Sequence, residues 1–388
     1  MPADFQPSAG RAVDIAAGAL LGVAATSALL GIANSILVVA LAAGWAAWRR
    51  GWLRGRPHAR ALQPPLLLFS AASIVSAAAS RDPVEGFDKL PRLLVFLVVP
   101  LAAAVVDARW WRRLVMTLGV CTTLFSLWGF LQYARGADSL ADRIKGPFSH
   151  YMIFAGWVLL AVVVLLGEML LSRERRRWWL ALPVVLGTAA LVLSYTRNAW
   201  VGLAAALLLL AAVWRRWLLF VIPAVLVALW LLLPRPFIER GISVFDLRQP
   251  ANYDRLCMTM SGLQMIRDYP FTGVGPGMVS KLYPLYRRDD APRWRVPHLH
   301  NNPVQIAAER GLPALAAYLW LLGAFFTVTW RSLPRLPAEQ RAAVGAVMAA
   351  MLAMSVAGLF EYNFWSAPVQ YATLVLMGAG MGRAEERG

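Results

Sequence analysis

Two histidines stand two residues apart in Val296-Pro297-His298-Leu299-His300-Asn301-Asn302-Pro303, where a long polar segment gives way to an apolar one. An imidazole is the side chain best matched to moving a proton near neutral pH. Asn302 is a favoured helix N-cap, and Pro303 suits the first helical position, where an N–H would lack a partner anyway. The spacing therefore predicts a helix from residue 303, with its first-turn N–H groups at the positive end of the dipole. A phosphate has partners there, and a nearby imidazole is pushed toward its neutral, proton-accepting form. His300 is nearer the helix start and is the expected base. His298, with Asn301, is expected to orient the loop or contact substrate. The plainer alternative is a pair of capping or solvated loop histidines. Zinc would need a third ligand at suitable spacing, and none is seen, so no metal is expected.

Four further cations have settings that suit an anionic ligand. Arg197 lies in Ser194-Tyr195-Thr196-Arg197-Asn198, a short turn between two apolar runs. It is either an arginine snorkelling to the interface or a phosphate ligand, since a guanidinium grips phosphate bidentately. Arg255 falls in the first turn of a helix read over 253–268, where a cation opposes the dipole and helix stability alone would not select it. That helix is read as amphipathic, with Leu256, Met260, Leu263 and Ile266 on one face. Arg143 and Lys145 precede Gly146-Pro147-Phe148-Ser149 and are either basic loop residues or anion ligands. The cluster Gly273-Val274-Gly275-Pro276-Gly277 follows a helix rather than a strand, so it is read as a tight turn and not a phosphate-binding loop.

The elements that must position these residues are apolar helices. The chain has 388 residues, 59% hydrophobic and 15% charged, against about 25% charged in an ordinary soluble protein. Apolar runs recur from residue 13 to residue 382, which makes this an all-α polytopic membrane protein. Twelve helices are expected, over about 12–30, 32–48, 62–80, 91–106, 113–133, 150–170, 178–195, 199–214, 217–233, 303–330, 341–360 and 364–382. The chain thus divides into helices one to nine over 1–233, a helical outer segment over 234–302, and helices ten to twelve over 303–388. Twenty Lys and Arg residues fall in the connections and tails on the side of the N-terminus, and seven in short connections on the other side. The positive-inside rule then places both termini in the cytoplasm and 234–302 outside. The same rule accounts for the net charge of +17 without nucleic acid. Cys121 and Cys257 are expected to stay unpaired.

Several short stretches, in order, resemble the O-antigen ligase and polymerase superfamily, and within it the bacterial O-antigen ligases. They are Arg143-Ile144-Lys145-Gly146-Pro147-Phe148, Ser194-Tyr195-Thr196-Arg197, Tyr253-Asp254-Arg255, Asp268 to Gly277, His298-Leu299-His300-Asn301, and Gln305 with Glu309-Arg310-Gly311-Leu312. Pro303 stands where that family more often has an aromatic or aliphatic residue. The resemblance implies a GT-C-like glycosyltransferase of the bacterial inner membrane. It would need no cofactor. Its donor would be a glycan on undecaprenyl diphosphate, and its acceptor a sugar hydroxyl of lipid A–core. It also implies His300 as base, Arg197 and Arg255 on the diphosphate, and His298, Asn301, Arg143 and Lys145 as further substrate contacts. The alternatives are an O-antigen polymerase, a protein O-oligosaccharyltransferase, and a lipid-linked sugar transporter. A transporter would show paired intramembrane charges and repeated halves, and the spans look nearly free of charge.

Overall fold

The computed structural model describes residues 57–172, 175–217, 219–220, 235–243, 246 and 248–385. The described residues form helices and no strand. The helices expected over 12–30 and 32–48, and nearly all of 217–233, lie outside the described residues.

The main helices are α1 (Gln63–Ala78), α2 (Pro83–Asp88), α3 (Val98–Val105), α4 (Ala108–Ala134), α5 (Tyr151–Leu171), α6 (Ala181–Leu193), α7 (Arg197–Val213), α11 (Asn302–Ser332), α12 (Ala338–Ala357) and α13 (Ala367–Glu385). Five helical stretches are long and apolar enough to cross a bilayer, and two shorter ones end at Leu193 and Val213. The expected helix over 91–106 is instead a 3-10 turn, Leu90–Leu97, running into α3. Pro91 and Pro100 each remove a donor from that stretch.

α12 packs against α5 and α7, α11 against α1, α13 against α3, and α4 against α6. The first of these contacts rests on small residues, as helix pairs in a bilayer do. A Cβ at Gly167 would lie 2.6 Å from that of Ala346, and one at Gly202 would lie 2.6 Å from the Ala353 carbonyl.

α11 is broken at Gly311, whose φ of 77° is left-handed. Pro313 has no N–H for the Glu309 carbonyl. The freed groups find partners elsewhere, as they must inside an apolar bundle. Val274 N donates to Ala308 O at 2.8 Å, Gly275 N to Glu309 O at 3.0 Å, and Leu312 N to Pro270 O at 2.7 Å. Ser76 Oγ adds a bond to Glu309 O. The glycine cluster is therefore a clamp on the break. A Cβ at Gly273 would lie 2.3 Å from the Glu309 carbonyl carbon.

The segment between α7 and α11 carries α8 (Arg235–Ile242), α9 (Pro250–Asp268) and α10 (Val279–Tyr286). It has its own small core, with Met258, Met265, Val274, Tyr283 and Leu299 on Ala308 of α11. The apolar face of α9 is turned outward: Leu256, Met260 and Leu263 are exposed and Ile266 is half-buried. Its buried face carries Asp254, Cys257, Met258, Ser261, Gly262 and Met265. Gly262 permits the approach, since a Cβ there would lie 2.5 Å from Val304 and 2.7 Å from Leu299. Close packing on small residues outweighs the apolar stripe. α9 begins at Pro250, so Arg255 sits in its second turn, not the first. Cys121 and Cys257 are free.

Candidate active site

A cavity of about 750 Å³ opens at one end of the bundle, within the range typical of substrate sites. Among the described residues, every connection that the charge count puts outside contributes to its wall. These are the α1–α3 connection, the loop before α5, the α6–α7 turn, the segment before α11, and the α12–α13 loop.

The helix cap lies one residue earlier than expected. Asn301, not Asn302, is the N-cap of α11, with its Oδ1 accepting from Val304 N at 2.9 Å. Both asparagines also stitch this end to the distant α12–α13 loop. Asn301 Nδ2 donates to Leu359 O, Asn302 N to Gly358 O, and Asn302 Nδ2 to Asn363 Oδ1. This stitching delivers Glu361, sixty-one residues downstream, to the histidines. His300 Nδ1 lies 2.7 Å from Glu361 Oε2, and His298 Nε2 lies 3.5 Å from Oε1.

The hydrogen bonds assign the tautomers. His298 Nδ1 accepts from His300 N at 3.3 Å, so its proton belongs on Nε2, toward Glu361. His300 donates Nδ1–H to Glu361. Its Nε2 then keeps an open lone pair, since that atom makes no hydrogen bond among the described residues. The φ of 52° at His300 is unfavourable for a residue with a Cβ, and such strain tends to sit where a side chain must be aimed. Burial pushes His298 down to about 4, against the pull of Glu361. Burial opposes the Glu361 charge, yet the His300 hydrogen bond and the fields of His300, His298 and Arg255 hold its carboxyl below the ordinary glutamate value.

Beside this dyad stand Arg143, Arg197, Arg240 and Arg255. Arg197 is buried rather than snorkelling. Its Nη1 donates to Ser243 O, Ser243 Oγ and Gln249 Oε1, and its Nη2 to Asn252 Oδ1 at 2.6 Å. Much of its fork is thus spent holding Ser243, Gln249 and Asn252 beside α7, by neutral acceptors that leave the charge uncompensated. Arg143 lies over the Tyr151 ring at 4.3 Å. Arg240 is held near the α6–α7 turn because Phe237 stacks on Tyr195 at 4.5 Å. Burial, then neighbouring arginines, lowers the pKa of Arg240; burial and Arg255 lower that of Arg143 against Tyr151. Arg255 is half-buried and makes no hydrogen bond or ion pair among the described residues. Its field nonetheless reaches Arg143, Arg240, Asp254, His298 and Glu361.

Four carboxylates line the cavity where the sequence offered none beside the histidines. Each is taken. Glu361 faces the imidazoles, Asp254 pairs with Arg293 at 2.9 Å, Glu309 with Arg310 at 2.6 Å, and Glu85 with Lys281. The Glu309–Arg310 pair corrects the expectation of nearly charge-free spans. His298, His300 and Glu361 also place one ligand atom each within 4.8 Å of one another, so the third metal ligand that the sequence seemed to lack is present.

Residues 182–319 match the family described as O-antigen ligase. Over that stretch the chain is similar to the O-antigen ligase family. No curated protein matches the chain. With its apolar helices, the match indicates a multi-pass membrane protein related to membrane glycosyltransferases. Arg197, Arg240, Arg255, His298 and His300 fall inside the matched stretch; Arg143 and Glu361 fall outside it.

Of the residues expected at the site, His300, His298, Arg197, Arg255 and Arg143 line the one cavity, whereas Asn301 and Lys145 do not. Asn301 is the cap that holds the loop. Lys145 is exposed, and its backbone N–H is held by Gln132. Among the lining residues that were missed are Glu361, Arg240 and His150. Glu361 follows a different helix, and nothing near it in the chain marks it. Arg240 sits in a charged stretch with no motif. His150 caps α5 by accepting from Met152 N on Nδ1; a histidine before an apolar run was the available signal.

Proposed function

We propose that this protein transfers a glycan from undecaprenyl diphosphate to a sugar hydroxyl of lipid A–core at the outer face of the bacterial inner membrane, with both termini cytoplasmic and the 234–302 segment periplasmic. The observation that carries the reading is the open Nε2 of His300, backed by Glu361, in one cavity with Arg143, Arg197, Arg240 and Arg255, none of which has a carboxylate partner among the described residues. In the reaction the acceptor O–H loses its proton to His300 Nε2 as its oxygen attacks the anomeric carbon. The bond from that carbon to the phosphate oxygen breaks, and undecaprenyl diphosphate leaves with the electron pair. Glu361 holds the Nδ1–H tautomer and stabilises the imidazolium, the role a carboxylate plays behind a catalytic histidine elsewhere.

The leaving diphosphate meets Arg255, whose fork is open, flanked by Arg240 and Arg143. Arg197 adds charge while its hydrogen bonds keep the wall in place. Such preorganised cations do the work of a divalent ion, so the reading is metal-independent, and transfer should survive a chelator that strips any ion from His298, His300 and Glu361. Both Glu361 oxygens are engaged and Asp254 is paired, so neither is placed to act as a nucleophile, which favours direct displacement over a glycosyl-enzyme route.

The lipopolysaccharide profile of a deletion strain tests the reading. Lipid-linked polymer should persist while the core stays bare. A core carrying a single repeat unit would mark an O-antigen polymerase instead, and an unchanged profile would discard both.

A further inference from the structure

Beside His300, Arg143, Arg197, Arg240 and Arg255 form one group of cavity residues, linked by their mutual repulsion. A second group is linked to the base by a chain of contacts. The His298 and His300 rings are 4.2 Å apart, and His298 and Tyr362 are 5.9 Å apart. The Tyr362 hydroxyl lies 3.5 Å from Arg310 Nη1. The Arg310 guanidinium sits 4.4 Å over the Trp365 ring, and the Trp365 carbonyl accepts from Arg92 Nη1 at 3.4 Å. Tyr362, Arg310, Trp365 and Arg92 all line the cavity.

The attacking oxygen must reach both the base and the anomeric carbon, so donor and acceptor meet beside His300 and extend from it in different directions. With the diphosphate at the arginine group, the acceptor has the second group left to it. We propose that the Tyr362–Trp365–Arg92 group is the acceptor subsite, taking a sugar ring against the aromatic pair and an anionic substituent of that sugar on Arg92. This rests on the transferase reading above.

The cations here differ in availability. Arg310 is buried and bound to Glu309; its part is to hold Trp365 by stacking on it. Lys89 is shared between Glu85 at 3.7 Å and Asp88 at 3.3 Å. Arg92 is exposed, and among the described residues it has a carbonyl for a partner and no carboxylate. An arginine fork in that state suits a phosphate or a carboxylate equally well.

The experiment uses the full chain in nanodiscs, with lipid-linked glycan as donor. The acceptor is deep-rough lipopolysaccharide supplied intact, dephosphorylated, or with its carboxyls amidated. Arg92→Gln should raise KM for the intact acceptor by about tenfold, the size of one charge-assisted hydrogen bond, and leave donor Kd unchanged. The penalty should vanish with one modified acceptor: the dephosphorylated one if phosphate is recognised, the amidated one if carboxylate is. Trp365→Leu should raise KM for all three. An unchanged KM in Arg92→Gln, an equal rise for every acceptor, or an effect that follows anionic lipid in the nanodisc would overturn the proposal; the last would make Arg92 a headgroup anchor. Wild-type protein that transfers to none of the three would sink the transferase reading, and this inference with it.

Discussion

Buried charge gathers at both ends of the helical bundle. Where α5 ends and α12 begins, Arg177 binds the fully buried Glu168 and reaches Glu339 at 2.8 Å. Trp111 Nε1 donates to the free side of Glu168 at 2.8 Å, and Ser172 Oγ donates to Glu339. At the cavity end, Arg143, Arg197, Arg240 and Arg255 crowd together, and every carboxylate within reach has another partner. Among the described residues, the first network matches its charges within the fold. The second carries repulsion that the fold alone does not relieve, because an unpaired buried charge is costly. Charge left unmatched at a cavity wall marks where a partner of opposite sign arrives; charge matched within the fold marks a clasp. Local sequence does not separate the two, since Arg177 and Arg197 both stand at the start of an apolar helix.

The comparison breaks if the clasp turns out to be catalytic or the cavity arginines structural. Breaking one side of a buried pair typically costs about 3–5 kcal/mol. Glu168→Gln should therefore lower thermal stability in detergent markedly, while transfer per folded molecule stays at the wild-type level. A stable Glu168→Gln protein with lost transfer would reverse the two roles. At the other end, Arg255→Gln should keep its melting temperature and lose about 1.5–3 kcal/mol of donor binding, roughly tenfold to a hundredfold in Kd. Arg197→Lys, which cannot hold Ser243, Gln249 and Asn252 together, should lose stability and donor binding alike. If only Arg197→Lys weakens the donor, the diphosphate lies on Arg197 rather than Arg255.

The smallest expected effect is on pH dependence. His298 titrates near 4 in the fold against an ordinary 6.5. A depressed value means that the unfolded chain takes the proton first, so this contribution is complete above about 6.5 and is lost as pH falls toward 4. Glu361, also depressed, adds loss below the ordinary carboxylate range. Melting temperatures taken from pH 8 down to pH 4 should fall over that window, and His298→Asn, which can still accept from His300 N, should flatten the part between 6.5 and 4. An unaltered slope would assign the loss elsewhere.

The site was partly legible in the sequence because some of its chemistry is local. His298, His300, Arg197 and Arg255 announce themselves by residue type beside turns and helix starts. The all-helical, apolar character follows from composition. What stayed hidden depends on contacts across the chain. Glu361 reaches His300 only because Asn301 and Asn302 bond residues 358–363. The buried face of α9 follows Gly262 and Ser261, whose value lies in how closely Val304 and Leu299 approach. The glycine turn makes sense only against the break at Gly311. The cap at Asn301 was missed by one residue, since Asn302 and Pro303 satisfied the same local rule, and which asparagine turns inward is settled by Asn363.

The most direct test of the site is a single-turnover measurement on His300→Ala with labelled undecaprenyl diphosphate glycan bound beforehand and lipid A–core then added. Donor binding should match wild type, because Arg255, Arg240 and Arg143 are untouched, while transfer falls about 10²–10⁴-fold, the usual range for a lost general base. Near wild-type transfer in His300→Ala, or a dead His298→Ala beside an active His300→Ala, would contradict the assignment of His300 as the base.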